Sequence, residues 1–202
     1  MARTTVDTGW GLWLQWLAAT AIGWAAGEAV ASFVPEDTIL LGTIHTAVIG
    51  LVLGTMQWLI LRRHIEMAGR WVAATVIGSG LGGAVGLAAS FAAGATVIQP
   101  WALLPFGVAL GVCQWFVIRT QFAGSGWWTL AYALGLPLSF VVGLIASFSI
   151  GFEWENVDAI FRVISLAFFG AVAGAVFGML SGGLLVWFLR HPRLGAKLAA
   201  AF

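Results

Sequence analysis

The feature that most constrains this chain is the near-absence of charge across six long apolar runs, at 11–33, 39–61, 71–98, 101–118, 127–152 and 163–189. About 20 apolar residues suffice to cross the hydrocarbon core of a bilayer as a helix. Inside lipid every backbone amide needs a partner within its own segment or a closed barrel. The two-residue alternation of a membrane barrel is absent, so the runs are read as helices. Only 8% of the 202 residues are charged and 61% are apolar, whereas soluble domains carry about a quarter charged residues. The expectation is an all-α integral membrane protein with six spans, a single transmembrane domain over 1–202.

The few charges are sorted by side. Arg3, Arg62, Arg63, Arg70, Arg119, Arg190, Arg193 and Lys197 fall at one set of helix ends. Glu36, Asp37, Glu153, Glu155 and Asp158 fall in the opposite turns, and Arg162 alone breaks the partition. Positive charge marks the cytoplasmic side, which predicts cytoplasmic N- and C-termini. The opening "MARTTVDTGW" leads into a run too long for a cleaved signal peptide, so a retained first helix is expected. The net charge of +1 gives no support for nucleic-acid binding. The single cysteine, Cys113, lies within an apolar run and reads as a small buried residue.

The chain also repeats itself. "GLW" at 11–13, "GRW" at 69–71 and "GWW" at 126–128 each begin an odd-numbered run, and a Ser-Phe pair follows 19 residues after each final Trp. Even-numbered runs carry glycines four apart: Gly50 and Gly54, Gly107 and Gly111, Gly174 and Gly178. Gln57 and Gln114 extend the first two pairs on the same helix face. In the third copy the Gln-Trp equivalent is either Ser181-Gly182 or Val186-Trp187. The reading is three hairpins, near 9–66, 67–123 and 124–193 with a short tail at 194–202, in a six-helix bundle. Repeats with an even number of spans keep one orientation and relate about the membrane normal, here as a pseudo-threefold axis.

The Gly-x-x-x-Gly-x-x-Gln-Trp-x-x-x-Arg ends at 50–62 and 107–119, with the Gly-x-Trp starts, resemble a largely uncharacterised group of small, Gly-rich bacterial multi-pass membrane proteins. The resemblance covers most of the chain and implies no activity. It places the chain in a bacterial cytoplasmic membrane or an internal membrane derived from it.

Glycines four apart let helix backbones approach closely, and a Gln on that stripe bonds to a neighbour. Helix packing is therefore the expected role of these glycines and both glutamines. A Gly-lined groove also accepts a flat ligand such as a pigment, a quinone or a lipid tail, although the sequence requires no cofactor. Trp13, Trp16 and Trp24 make one face of the first helix, which is expected to meet lipid or a partner protein. Other Trp residues form interfacial belts with Arg heads beside them.

Three residues break the repeat. Glu28 stands where the other copies have Gly86 and Gly143, His45 where they have Ala102 and Phe169, and Arg162 has no charged counterpart. Ionisable groups at such depth face a partner or water, so Glu28, His45 and Arg162 are expected to form a polar site in the outer third of the membrane. Competing readings send Arg162 outward to Glu155 or Asp158, and bond His45 to a backbone carbonyl. As a metal ligand, His45 is at most a lone axial one. No His-Glu-x-x-His, nucleophile elbow or phosphate loop occurs, and "GSGLGG" at 78–83 lies inside a span without a preceding strand. The expected function is a non-enzymatic accessory subunit that contacts lipids, other membrane proteins or further copies of itself. A small channel or transporter with an outer polar site is the alternative.

Overall fold

The computed structural model describes residues 9–95, 99–152 and 158–191. These are all-α: α1 (Trp10–Ala31), α2 (Ile39–Leu61), α3 (Gly69–Ala92), a 3-10 turn (Pro100–Ala102), α4 (Leu103–Ile118), α5 (Gly126–Ser149) and α6 (Ala159–Arg190). By length and composition five helices can cross a membrane: α2, α3, the 3-10 turn with α4, α5 and α6. At 22 residues α1 is also long enough. It is less apolar, because Glu28, Gln15 and four Trp take places that Leu and Val hold elsewhere. The third run, expected to reach 98, stops as a helix at Ala92, while Glu153, Glu155 and the tail lie outside the described residues.

Local chemistry fixes the helix ends. Thr38 caps α2 by accepting a hydrogen bond from the Leu41 N–H at 3.2 Å, and Asp158 caps α6 by accepting from the Phe161 N–H at 2.8 Å. Such caps satisfy amides that have no partner within the helix. The Asp158 cap starts α6 at Ala159, four residues before the apolar run. The repeated Ser-Phe signature has a structural cause at the ends of α3 and α5. The Ser90 carbonyl accepts from the Ala95 N–H at 2.9 Å and the Ser147 carbonyl from the Phe152 N–H at 3.0 Å. Each closure turns through a left-handed glycine, Gly94 at φ 79° and Gly151 at φ 75°. This is the Schellman arrangement, which glycine adopts without a Cβ penalty.

Each helix packs along its neighbours in sequence, and α6 packs along α1, so the order of packing closes on itself. Glycines set how close those contacts are. A Cβ on Gly50 would lie 2.9 Å from the Thr75 carbonyl oxygen of α3, and one on Gly174 would lie 2.8 Å from the Thr20 carbonyl oxygen of α1. Gly54 faces Thr75, Gly107 and Gly111 face α5, and Gly178 faces Leu17 of α1. The even-helix pairs thus press backbone to backbone on the next odd helix. Large apolar side chains cover the outside, among them Leu14, Ile22, Leu81, Leu134 and Ile145, each more than half exposed. An apolar exterior of this extent suits lipid rather than water.

Candidate functional site

The interior falls into two levels. Nearer the Arg-bearing helix ends, Trp16, Trp71 and Trp128 are fully buried and meet edge to face, with ring centroids 6.0, 6.1 and 5.6 Å apart. Each indole N–H donates to a polar group on an even-numbered helix. Trp71 donates to Gln57 Oε1 at 3.0 Å, Trp128 to Gln114 Oε1 at 2.9 Å, and Trp16 to Ser181 Oγ at 3.0 Å. The two amides donate onward, Gln57 to Thr20 Oγ1 at 3.3 Å and Gln114 to Thr75 Oγ1 at 2.9 Å. A buried amide satisfied on both sides rigidifies what it joins.

Ser181 is too short to repeat that onward bond and instead donates to the Phe177 carbonyl at 2.8 Å. The Tyr132 hydroxyl, nearby and fully buried, has no hydrogen-bond partner of ordinary geometry. Of Ser181-Gly182 and Val186-Trp187, Ser181 is the residue that accepts an indole N–H as Gln57 and Gln114 do.

The Trp face of α1 does not turn outward as expected. Trp16 is fully buried, Trp24 is 8% exposed, and Trp13 donates to the Met179 carbonyl of α6 at 3.1 Å. Helix angles placed these rings on one face, but an apolar helix gives no polar side to mark which face is inward. Outside this level, the Arg62 guanidinium lies 5.3 Å from the Trp58 ring and Arg119 lies 5.4 Å from Trp115. Trp187 stacks on His191 at 4.9 Å.

The second level is a cavity of about 390 Å³ towards the carboxylate-bearing ends, a size typical of small-molecule sites. Its walls are mostly apolar, with Trp24, Leu103, Phe106, Leu136, Phe140, Leu144, Leu166 and Phe169 drawn from α1, α4, α5 and α6. Glu28, Glu36, His45 and Thr46 supply polar groups from α1, α2 and the turn between them, and Gln99 adds one just before the 3-10 turn.

Local geometry assembles this polar cluster. Trp24 and Glu28 are one helical turn apart, and the indole N–H donates to Glu28 Oε1 at 3.1 Å. His45 Nδ1 lies 3.0 Å from the Val34 carbonyl, which can only accept, so that nitrogen carries a proton. His45 Nε2 lies 3.1 Å from Glu36 Oε1 and 3.9 Å from Glu28 Oε2. Burial pushes the Glu36 carboxyl above the usual carboxylate range, and the neighbouring Glu28 adds to the rise while His45 opposes it. At 3.1 Å, His45 Nε2 and Glu36 Oε1 are within hydrogen-bonding distance of each other.

Glu28 and His45 come together as expected, and Arg162 does not join them. Its guanidinium donates to the Ser32 carbonyl at 3.2 Å, at the C-terminal end of α1. The first turn of α6 brings it to the negative end of the α1 dipole, and it forms no ion pair among the described residues. Glu36 takes the third place instead. A loop carboxylate carries no helical period to show where it points, and its only signal was its nine-residue spacing from His45. Both ring nitrogens of His45 face oxygen atoms, Nδ1 the Val34 carbonyl and Nε2 Glu36 Oε1. Among the described residues no group of three His, Cys, Asp or Glu is placed to hold a metal ion. No protein-family model, curated protein or solved structure matches the chain.

Proposed function

We propose that the chain is a non-enzymatic integral membrane protein that holds one amphipathic small molecule, drawn from the bilayer, in the interhelical cavity. In this reading six helices form a bundle of three hairpins about a pseudo-threefold axis along the membrane normal. The Arg-bearing ends and both termini are cytoplasmic, in a bacterial inner membrane or a derivative of it. The observation that carries the reading is the cavity itself, apolar along its length with Glu28, Glu36 and His45 at one side. A hydrocarbon or aromatic body gains burial there, at about 25 cal/mol per Å², while the polar cluster orients its head. The apolar exterior leaves the whole perimeter open to lipid or to other membrane proteins, which suits an accessory subunit.

A through-channel is less well supported. The indole and amide level lies between the cavity and the Arg-bearing ends, and its N–H groups are spent on one another's acceptors. The test is titration of the protein in lipid nanodiscs with the neutral fluorescent probe N-phenyl-1-naphthylamine. One saturable site per chain is expected. Leu144→Trp, which fills the cavity from α5, and Leu166→Trp, which fills it from α6, should each abolish that site in a folded protein. Absence of saturable binding to the wild type, or undiminished binding to both folded variants, overturns the reading.

A further inference from the structure

We propose that the head of the held molecule is a cationic hydrogen-bond donor, a protonated amine on an apolar or aromatic body. This rests on the cavity reading above and adds the chemical class of the occupant. The argument comes from which polar groups of Trp24, Glu28, Glu36, His45 and Thr46 are already used; Gln99 also lines the cavity. On the donor side, the Trp24 indole N–H is spent on Glu28 Oε1 at 3.1 Å. His45 Nδ1 is spent on the Val34 carbonyl at 3.0 Å, and Nε2 faces Glu36 Oε1 at 3.1 Å. The Thr46 hydroxyl donates back to its own helix, 3.1 Å from the Gly42 and Thr43 carbonyls.

The unspent capacity lies with the acceptors. Glu28 is 8% exposed, and its Oε2 comes no nearer than 3.9 Å to His45 Nε2, beyond hydrogen-bonding distance. Glu36 lines the same cavity and brings a second carboxylate to it. A head that must accept hydrogen bonds, such as a quinone carbonyl or a carboxylate, finds the N–H and O–H groups of Trp24, His45 and Thr46 already engaged. A head that donates finds two carboxylate oxygens.

Charge points the same way. Two carboxylates face one imidazole, and Arg162, the cation that α6 brings to this end, is held on the Ser32 carbonyl at 3.2 Å. A buried carboxylate without a counter-charge is expensive, and an opposite charge within hydrogen-bond reach offsets that cost.

Three congeners with one body and different heads test this in nanodiscs: 1-naphthylmethylamine, 1-naphthylmethanol and 1-naphthoate, followed by displacement of N-phenyl-1-naphthylamine fluorescence at neutral pH. The amine should bind at least tenfold more tightly than the alcohol, and the carboxylate should bind weakest. Glu28→Gln should bring the amine to the affinity of the alcohol while leaving the alcohol unchanged, and Glu36→Gln provides the same comparison if the first variant does not fold. Equal affinities for all three heads, or preference for the carboxylate, would overturn the cationic head while leaving the cavity reading intact. Failure of all three to saturate would overturn both.

Discussion

Gln114 makes a quantitative test of the buried indole and amide level. It is fully buried, accepts from Trp128 Nε1 at 2.9 Å and donates to Thr75 Oγ1 at 2.9 Å. Gln114→Leu keeps the volume and apolar bulk but removes both bonds. Thr75 still has a partner, because its hydroxyl donates to the Trp71 carbonyl at 2.8 Å. The Trp128 N–H is left buried and unpaired, which costs about 1–3 kcal/mol. Polar bonds between membrane helices average about 0.6 kcal/mol and reach about 1.7, so about 1.5 kcal/mol of destabilisation is expected. Trp128→Phe alone also disturbs the contacts with Trp16 and Trp71, and the double variant removes that packing term from the comparison. The coupling energy between positions 114 and 128 should be about 1 kcal/mol. The assay is reversible unfolding in mixed micelles by SDS titration, followed by far-ultraviolet ellipticity. Gln15→Leu, at an exposed position on α1, is the control and should change stability by less than about 0.5 kcal/mol. A coupling below about 0.3 kcal/mol, or a Gln114→Leu effect no larger than that of Gln15→Leu, would refute the reasoning.

Two further substitutions follow from the same geometry. Tyr132→Phe deletes a buried hydroxyl that makes no hydrogen bond of ordinary geometry, so the same titration should find stability unchanged or raised by up to about 1 kcal/mol, where loss of a well-bonded hydroxyl would lower it by that amount. Gly174→Val puts a Cβ 2.8 Å from the Thr20 carbonyl oxygen and forces α6 away from α1. That should cost about 3 kcal/mol, whereas Gly183→Val, where an added Cβ meets nothing within 4 Å, should leave the unfolding midpoint nearly unmoved.

The helices were legible because an uncharged run of membrane length admits few other structures. Their ends were less so, since α6 begins where Asp158 caps it rather than where apolar residues begin. The Ser-Phe spacing reflected a real backbone closure at α3 and α5, but aligning on Trp13 put α1 one turn out of step. Trp16, three residues later, is the ring that meets Trp71 and Trp128. Glu28 and His45 were visible because each interrupts an apolar stretch. Arg162 drew the same inference for the same reason, yet depth along a helix says nothing about azimuth. Glu36 was counted only as a charge on one side, because a turn residue has no periodic neighbours to reveal its direction.

The packing of α6 against α1 has a consequence for how the chain can be cut. The other packed pairs join helices consecutive in sequence, and the contact between α6 and α1 joins the last to the first. Trp16 on α1 bonds to Ser181 on α6 across that seam, as Trp71 bonds to Gln57 and Trp128 to Gln114 across theirs. A linker from the end of α6 to the start of α1, with new termini opened at 66–68, would preserve every one of these bonds. The order in which the helices enter the membrane is then separable from the arrangement they reach. A circular permutant tests whether insertion order or side-chain pairing decides the final fold.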